Sequence, residues 1–330
     1  MVTRRQVAEK AQVSEATVSN VINGKNCVSD EKVRRVKTAI RELNYVPDQT
    51  ARTLVMRKSK HIGIAVYETT NPYHMELARI IEQCAAKNGY IVSLFVLDNN
   101  MKNKLDVIVQ HRLDGIINFM TNQYPESFID GLAQYHAVMV NFNEKVGSVF
   151  ENDYTDAMAD LMQKVYDYGH RKIAYITTMD EQGFAADSRG KQWFRSVQSL
   201  GFERAEVFYN HDFERKSDES GRMICRQVLK NFPDVSAIFC TNDMAAVGAI
   251  RTLSDAGKHV PRDVSLIGCD DTNIAKILVP SLTTIAIDKN SQGERIAEQL
   301  IGEISGKRQK VKEVFQAYAV YRESLSEYRG

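Results

Sequence analysis

Two groups of residues carry types and spacings suited to chemistry. The first is Glu15, Ala16, Thr17, Ser19 and Asn20, within the run Ser14 to Asn23. Opposite a face of Val18, Val21 and Ile22 at helical spacing, these small or polar residues could approach a sugar-phosphate edge and base edges closely. The second group stands where apolar runs end. Asp270 follows Ser265 to Cys269, and Asn242 follows Ala237 to Thr241. Asn141 and Phe142 close another run, Arg189 lies just before a helix, and Phe213 comes after Val207-Phe208. A carboxylate, amides and a guanidinium beside an aromatic face suit a polyhydroxylated ligand, because paired hydroxyls need both donors and acceptors. Capping of the next helix is the plain alternative for Asn242 and Asp270.

Catalytic patterns do not compete with this reading. No Gly-x-Gly-x-x-Gly, Gly-x-Ser-x-Gly or His-Glu-x-x-His occurs, and Gly190-Lys191 lacks the rest of a phosphate loop. The carboxylates of Asp270 and Asp271 are adjacent and diverge in direction, so they would rarely share a substrate. Five scattered cysteines form no Cys-x-x-Cys pair, which argues against a metal site and a disulfide framework. The expectation is therefore no catalytic residue, no metal and no cofactor.

The elements that would hold the first group are three short helices. Thr3 with Gln6 makes a capping box for a helix with Val7, Ala8 and Ala11 inward, and Gln12-Val13 turns into the second helix. Ser14 caps that helix and Asn23-Gly24 stops it. After Ser29, Val33, Val36, Ile40 and Leu43 form the stripe that closes a small core. This is a helix-turn-helix. Pro47 then breaks the chain, and Asp48 can cap a helix through Met56 that is barely two turns long and marginal in isolation. Exposed Leu54, Val55 and Met56 would be odd in a mere spacer, which favours ordering on DNA over a flexible linker.

From Ile62 onward strands alternate with amphipathic helices. Strands are expected at Ile62 to Tyr67, Ile91 to Leu97, Gly115 to Met120 and Ala137 to Phe142, with helices at Met75 to Lys87, Lys104 to Gln110 and Phe128 to Tyr135. A second round starts near Asp156, with strands at Lys172 to Thr177, Ala237 to Thr241 and Ser265 to Cys269, and helices at Lys191 to Ser199, Ser217 to Lys230 and Met244 to Ala256. Two parallel-sheet units in series follow, and ligands of such units bind at the carboxyl ends of the strands.

At 330 residues and 43% hydrophobic, the chain has room for two or three domains. The net charge of +1 hides an asymmetry: residues 1–60 hold 13 Lys and Arg against 6 Asp and Glu, leaving 30 against 36 beyond. A basic head suits phosphate neutralisation, and an acidic body does not. Arg4, Arg5, Glu9 and Lys10 stand where a secretory signal would need an apolar run, and no stretch reaches a membrane-spanning length, so a cytoplasmic protein is expected.

The chain resembles the LacI/GalR family of transcriptional regulators. Val7-Ala8, Val13-Ser14, Ala16-Thr17-Val18-Ser19, Val21-Ile22-Asn23, Tyr45-Val46-Pro47 and Ala51-Arg52-Thr53-Leu54 carry the likeness. Weaker matches include Asn71-Pro72-Tyr73, Asn242-Asp243-Met244-Ala245 and Pro280-Ser281-Leu282-Thr283-Thr284-Ile285. The resemblance implies an all-α helix-turn-helix head on an α/β periplasmic-binding-protein-like body of two parallel-sheet subdomains. Residues 1–46 would form the head, 47–60 the hinge, and 61–330 the effector-binding and dimerisation domain. The N-subdomain would take 61–152 and 287–314, including the helix Ser291 to Ile304, and the C-subdomain 153–286 and 315–330.

By this resemblance the protein is a homodimeric repressor of a pseudo-palindromic double-stranded DNA operator, controlled by a small molecule between the subdomains. A transport-associated sugar-binding protein would use the same body but has no use for a basic head. The DNA-contacting set is Thr3, Arg4, Ser14, Glu15, Ala16, Thr17, Ser19, Asn20, Asn23, Tyr45, Ala51, Arg52 and Leu54, with Leu54 the wedge between base steps. Asn71, Tyr73, Asn141, Arg189, Phe213, Asn242 and Asp270 fall at effector-contacting positions, joined by Phe142. Trp193 stands one turn after Arg189 and would line the cleft or pack in the core. His74 replaces a usual aromatic. Gly183 stands where purine-binding members have an arginine, which favours a sugar, and Glu298 stands where global catabolite regulators have an arginine, which disfavours a phosphocarrier partner.

Overall fold

The structure is a computed structural model that describes residues 2–22, 24, 27–45, 59–66, 69–97, 112–119, 135–140, 147–211 and 216–329. Asn23, the hinge with Ala51, Arg52 and Leu54, the expected helix Lys104 to Gln110, nearly all of the one at Phe128 to Tyr135, and Asn141, Phe142 and Phe213 lie outside the described residues. The chain divides into two compact units, residues 1–59 and 60–330.

In the head, α1 (Arg4–Ala11), α2 (Glu15–Ile22) and α3 (Asp30–Glu42) follow the expected order. The Thr3 hydroxyl accepts the Gln6 N–H while the Gln6 side chain accepts the Thr3 N–H, so the capping box is complete. Ser14 Oγ accepts the Thr17 N–H at 3.2 Å. Gly24, at φ +63°, donates its N–H to Val21 beyond the end of α2. Val7, Ala8, Ala11, Val18, Val36, Ala39 and Tyr45 make the core, with Val21, Ile22, Ile40 and Leu43 packed against it.

The body has two six-stranded sheets. The first runs β11 (Lys312–Gln316), β5 (Ser148–Asp153), β4 (His136–Val140), β3 (Gly115–Asn118), β1 (His61–Val66), β2 (Ile91–Val96), all parallel. The second runs β12 (Tyr318–Val320), β10 (Thr283–Ala286), β9 (Ser265–Cys269), β8 (Ala237–Cys240), β6 (Lys172–Ile176), β7 (Arg204–Phe208), parallel except for β12 against β10. The chain passes between sheets after Asp153, after Ala286 and at Ala317. Val314 lies inside β11, so the third passage comes slightly later than the pattern suggested.

Helices cover both sheets because their central strands are buried on both faces, as parallel strands are. On the first sheet, α4 (Pro72–Lys87) and α11 (Lys289–Ile304) pack together, and Leu77, Ile81, Leu300 and Ile304 meet Ile62, Ile64, Val138 and Phe150. On the second, α5 (Thr155–Asp167), α6 (Glu181–Ala186) and α7 (Ser188–Leu200) cover one side, while α8 (Ser217–Asn231) and α9 (Asp243–Asp255) cover the other. The short α10 (Asn273–Ile277) follows β9.

Candidate functional site

On the head, Glu15 and Ala16 are exposed at the start of α2, and Thr17, Ser19 and Asn20 are half-buried. Short side chains there keep the backbone close to whatever the helix meets. The hydroxyls of Thr3 and Ser14 already accept helix-capping amides, and each also meets a side-chain oxygen of its own helix, Gln6 Oε1 for Thr3 (3.3 Å) and Thr17 Oγ1 for Ser14 (2.9 Å). Arg4 is half-buried, and its Nε has no hydrogen-bond partner among the described residues. Tyr45 is only 7% exposed, and its ring belongs to the head core, because so small a unit needs a large aromatic to fill its centre.

In the body, candidate residues gather at the carboxyl ends of both sheets. Asn71 caps α4 by accepting the Tyr73 N–H, which brings the Tyr73 side chain to the passages between the sheets. There Asn152 Nδ2 donates to the hydroxyls of Tyr73 (2.9 Å) and Tyr154 (3.0 Å). The Tyr73 hydroxyl donates to Gln292 Oε1, whose amide nitrogen donates to Asn152 Oδ1 at 2.6 Å. This buried network ties the end of β5 to α4 and α11. Burial pushes the Tyr73 hydroxyl far above its ordinary range, so it stays a neutral donor.

Arg189 stands across from it, with its guanidinium 4.7 Å from the centre of the Tyr154 ring. Its Nε and Nη2 grip both oxygens of Asp187, at 2.8 and 2.9 Å, and Nη1 donates to the Thr241 carbonyl at 2.7 Å. Burial opposes charging both residues, yet each partner outweighs that for the other, so the pair stays ionised. Asp187 also caps α7 through the Arg189 N–H. Gly190 permits the geometry, since a Cβ there would stand 1.9 Å from the Phe184 carbonyl oxygen.

Asp270 follows β9 at φ +110°. Burial first, then the neighbouring Asp243, hold its carboxyl well above the usual carboxylate range, against the pull of Arg189 and Lys289. Asp243 accepts from the Thr284 hydroxyl (2.6 Å) and from the Thr272 N–H and hydroxyl (2.7 and 2.9 Å). Burial pushes it up to about 6. Gly268 leaves room for it, as a Cβ there would approach Asp243 Oδ1 to 2.4 Å.

Asn242 takes the plainer of its two readings. Its Oδ1 accepts the Ala245 N–H at 2.8 Å as the cap of α9, and its Nδ2 donates to Ser217. Asp270 is no cap, for α10 starts after Thr272. Trp193 is corrected as a cleft residue. It is 1% exposed and packs edge-on against Tyr175 and Phe239, because one turn along α7 from Arg189 the helix already faces the sheet.

His74 stacks on Phe119 with ring centroids 5.6 Å apart, and its buried Nδ1 has no hydrogen-bond partner among the described residues. Burial lowers its pKa to about 4, so the ring is neutral. Sequence reasoning missed Asn152, Tyr154, Asp187, Asp243 and Gln292. For Asp187 a cap signal existed ahead of the α7 stripe; Gln292 meets Tyr73 across 219 positions, which no local pattern shows.

Among the described residues no helix is long and apolar enough to cross a membrane, and no group of three or more His, Cys, Asp and Glu could hold a metal ion. Residues 3–48 match the bacterial regulatory proteins of the lacI family, and residues 162–325 match the periplasmic binding protein-like domain. The HTH-type transcriptional repressor PurR of Erwinia tasmaniensis is 31% identical over 94% of this chain and 92% of its own. The Lac repressor dimer bound to operator and the anti-inducer ONPF superposes with TM-score 0.83, at 24% identity over 98% of both chains. The transcriptional regulator CelR in complex with cellobiose gives 0.69, at 23% identity over 98% of this chain and all of that one. With a helix-turn-helix head, a two-sheet body and this kinship over nearly its whole length, the chain belongs to the lacI family of bacterial regulatory proteins.

Proposed function

We propose that the small molecule controlling this DNA-binding repressor is a carbohydrate or carbohydrate derivative, held between the two sheets by Arg189, Asp270, Tyr73 and His74. One observation carries the reading. A guanidinium fixed by Asp187, a carboxyl whose pKa burial holds well above the usual carboxylate range, and an imidazole nitrogen with no hydrogen-bond partner among the described residues lie at the carboxyl ends of the parallel strands of the two sheets. Donors and acceptors of both kinds suit vicinal hydroxyls. CelR, of the same fold, binds cellobiose, which supports the class without naming the ligand.

Homodimerisation has its own support. The edge strand β2 exposes Ile91, Leu94 and Val96, an apolar edge that a second copy would cover. Each helix-turn-helix then reads one half-site of a pseudo-palindrome, with Glu15, Ala16 and Asn20 toward base edges and Thr17 and Ser19 toward phosphates. The ligand acts by favouring one placement of the subdomains, which the hinge carrying Leu54 transmits to DNA. The protein works in the cytoplasm, where its operator is, and we assign it no catalytic step. The same body could serve a transport-associated sugar-binding protein, but the basic head has no place in one.

A thermal-shift screen of sugars, sugar phosphates and purine bases against the full chain tests the ligand class. A carbohydrate at about a hundred times its dissociation constant should stabilise by about 2.7 kcal/mol, an upward shift of several degrees. That shift should vanish in Asp270→Ala. Stabilisation by a purine base alone, the relationship to PurR notwithstanding, would reject the carbohydrate reading.

A further inference from the structure

Asp270 and Asp271 form a second observation that the ligand reading does not use. Both are non-glycine residues at positive φ, +110° and +44°, a conformation that costs energy and persists only when its surroundings hold it. One ammonium group anchors the carbonyls of both, while Arg322 and Lys276 pair with the Asp271 carboxylate. Lys289 Nζ donates to the Asp270 carbonyl at 2.8 Å and the Asp271 carbonyl at 2.7 Å, and meets Glu76 Oε2 at 2.9 Å. An ammonium has three protons, and three acceptors stand at hydrogen-bond distance around it.

The partners come from different parts of the body. Glu76 lies in the second turn of α4 on the first sheet, and its other oxygen accepts the Asn273 N–H at 3.3 Å. The strained segment follows β9 of the second sheet, and Lys289 opens α11 where the chain passes between the sheets. Its side chain is 14% exposed and that of Glu76 is 29% exposed, so the contact is shielded more than a surface ion pair.

We propose that Lys289 is a positioning residue: it fixes the strained backbone of Asp270 and Asp271, and through Glu76 makes the placement of the Asp270 carboxyl depend on contact between the two subdomains. The proposal rests on the reading that Asp270 touches the effector. It gives that reading a physical route by which subdomain movement and ligand affinity are linked. If α4 moves away, Glu76 leaves Lys289 and Asn273 together, and the two carbonyls lose their anchor's counter-charge.

The test is amide hydrogen exchange on the unliganded full chain, read by mass spectrometry over residues 270–273. Their four N–H groups are bound to Ile285 O, Thr284 Oγ1, Asp243 Oδ2 and Glu76 Oε1, so exchange there reports on the segment directly. Lys289→Met should speed exchange by about tenfold over this segment and the first turns of α4, with the rest of the body unchanged. Lys289→Arg, which keeps charge and donors, should restore protection. Glu76→Gln, which keeps the acceptor for Asn273, should give a smaller rise, and combined with Lys289→Met it should add little.

Unchanged exchange at 270–273 in Lys289→Met, a uniform rise across the whole body, or no rescue by arginine would overturn the proposal. Should Lys289→Met fail to fold, Glu76→Gln decides: a rise confined to the segment supports the role, and no rise rejects it. Because no ligand is present, a negative result here leaves the effector assignment to the ligand screen. A screen without carbohydrate hits leaves the exchange result standing.

Discussion

On the second-sheet wall of the proposed ligand site, Arg189, Asn242 and Asp243 arrive with partners in hand. Arg189 is gripped by Asp187 and Thr241, Asn242 is spent on the α9 cap, and Asp243 accepts three hydrogen bonds. The first-sheet wall differs at His74, whose buried Nδ1 has no partner among the described residues. One wall is preorganised, so its stability and its recognition geometry are the same interactions. The other holds a buried nitrogen with no hydrogen-bond partner among the described residues, which under our proposal a ligand would satisfy.

The comparison breaks most easily at Asp187. Asp187→Ala would strand the buried Arg189 guanidinium and also remove the cap of α7, so chemical denaturation should show a loss of about 3–5 kcal/mol. A loss under about 1 kcal/mol would mean the pair is solvated and the wall is not preorganised.

The carboxyls of the same wall give a pH signature. Asp243 and Asp270 have folded-state pKa values raised above their unfolded ones, so they bind more protons folded than unfolded. Their contribution to stability is complete below about 3.8 and is lost as pH rises through about 6 and beyond. Neutral His74, with its pKa lowered to about 4, acts in the opposite sense, losing stability as pH falls from 6.5 through 4. Subtracting the stability profile of Asp270→Asn from that of the wild type removes the histidine term. The difference should slope downward with rising pH, and a flat difference would show that folding leaves the Asp270 pKa unshifted.

Smaller effects separate the walls further. Asn242→Ala should cost about 1 kcal/mol, the value of a helix cap, and leave the fold intact. His74→Phe should do the reverse, raising stability by about 1 kcal/mol because it removes an unsatisfied buried nitrogen while keeping the stack on Phe119. Thermal unfolding measures both, and a destabilised His74→Phe would mean that Nδ1 is already satisfied.

The two units were not equally legible in the sequence. In the head, capping box, turn and apolar stripe are all local, so Thr3, Gln6, Ser14 and Val18 appear in the structure as read. In the body, periodicity showed β1 to β4, β6, β8 and β9, the last to the residue, and the helices α4, α7, α8 and α9, because buried runs and amphipathic stripes are also local signals. It did not show β5 or β11, whose alternating or mostly exposed residues lack an apolar run, nor the helix Thr155–Asp167 in full. Nor could it supply partners. Trp193 and Arg189 share a helix face by spacing, yet one meets the sheet and the other Asp187, a distinction made only by what packs against α7. Tyr45 likewise reads only as part of the family motif, and its place in the core comes from the helices around it.

Fluorescence anisotropy on a labelled duplex from binding-site selection, titrated with the full chain with and without the carbohydrate found by thermal shift, tests the central claim directly. Operator affinity should change by about tenfold or more when the ligand saturates the cleft, and Asp270→Ala should bind the duplex while ignoring the ligand. A ligand shown by calorimetry to be bound, yet leaving operator affinity unchanged, would contradict the account.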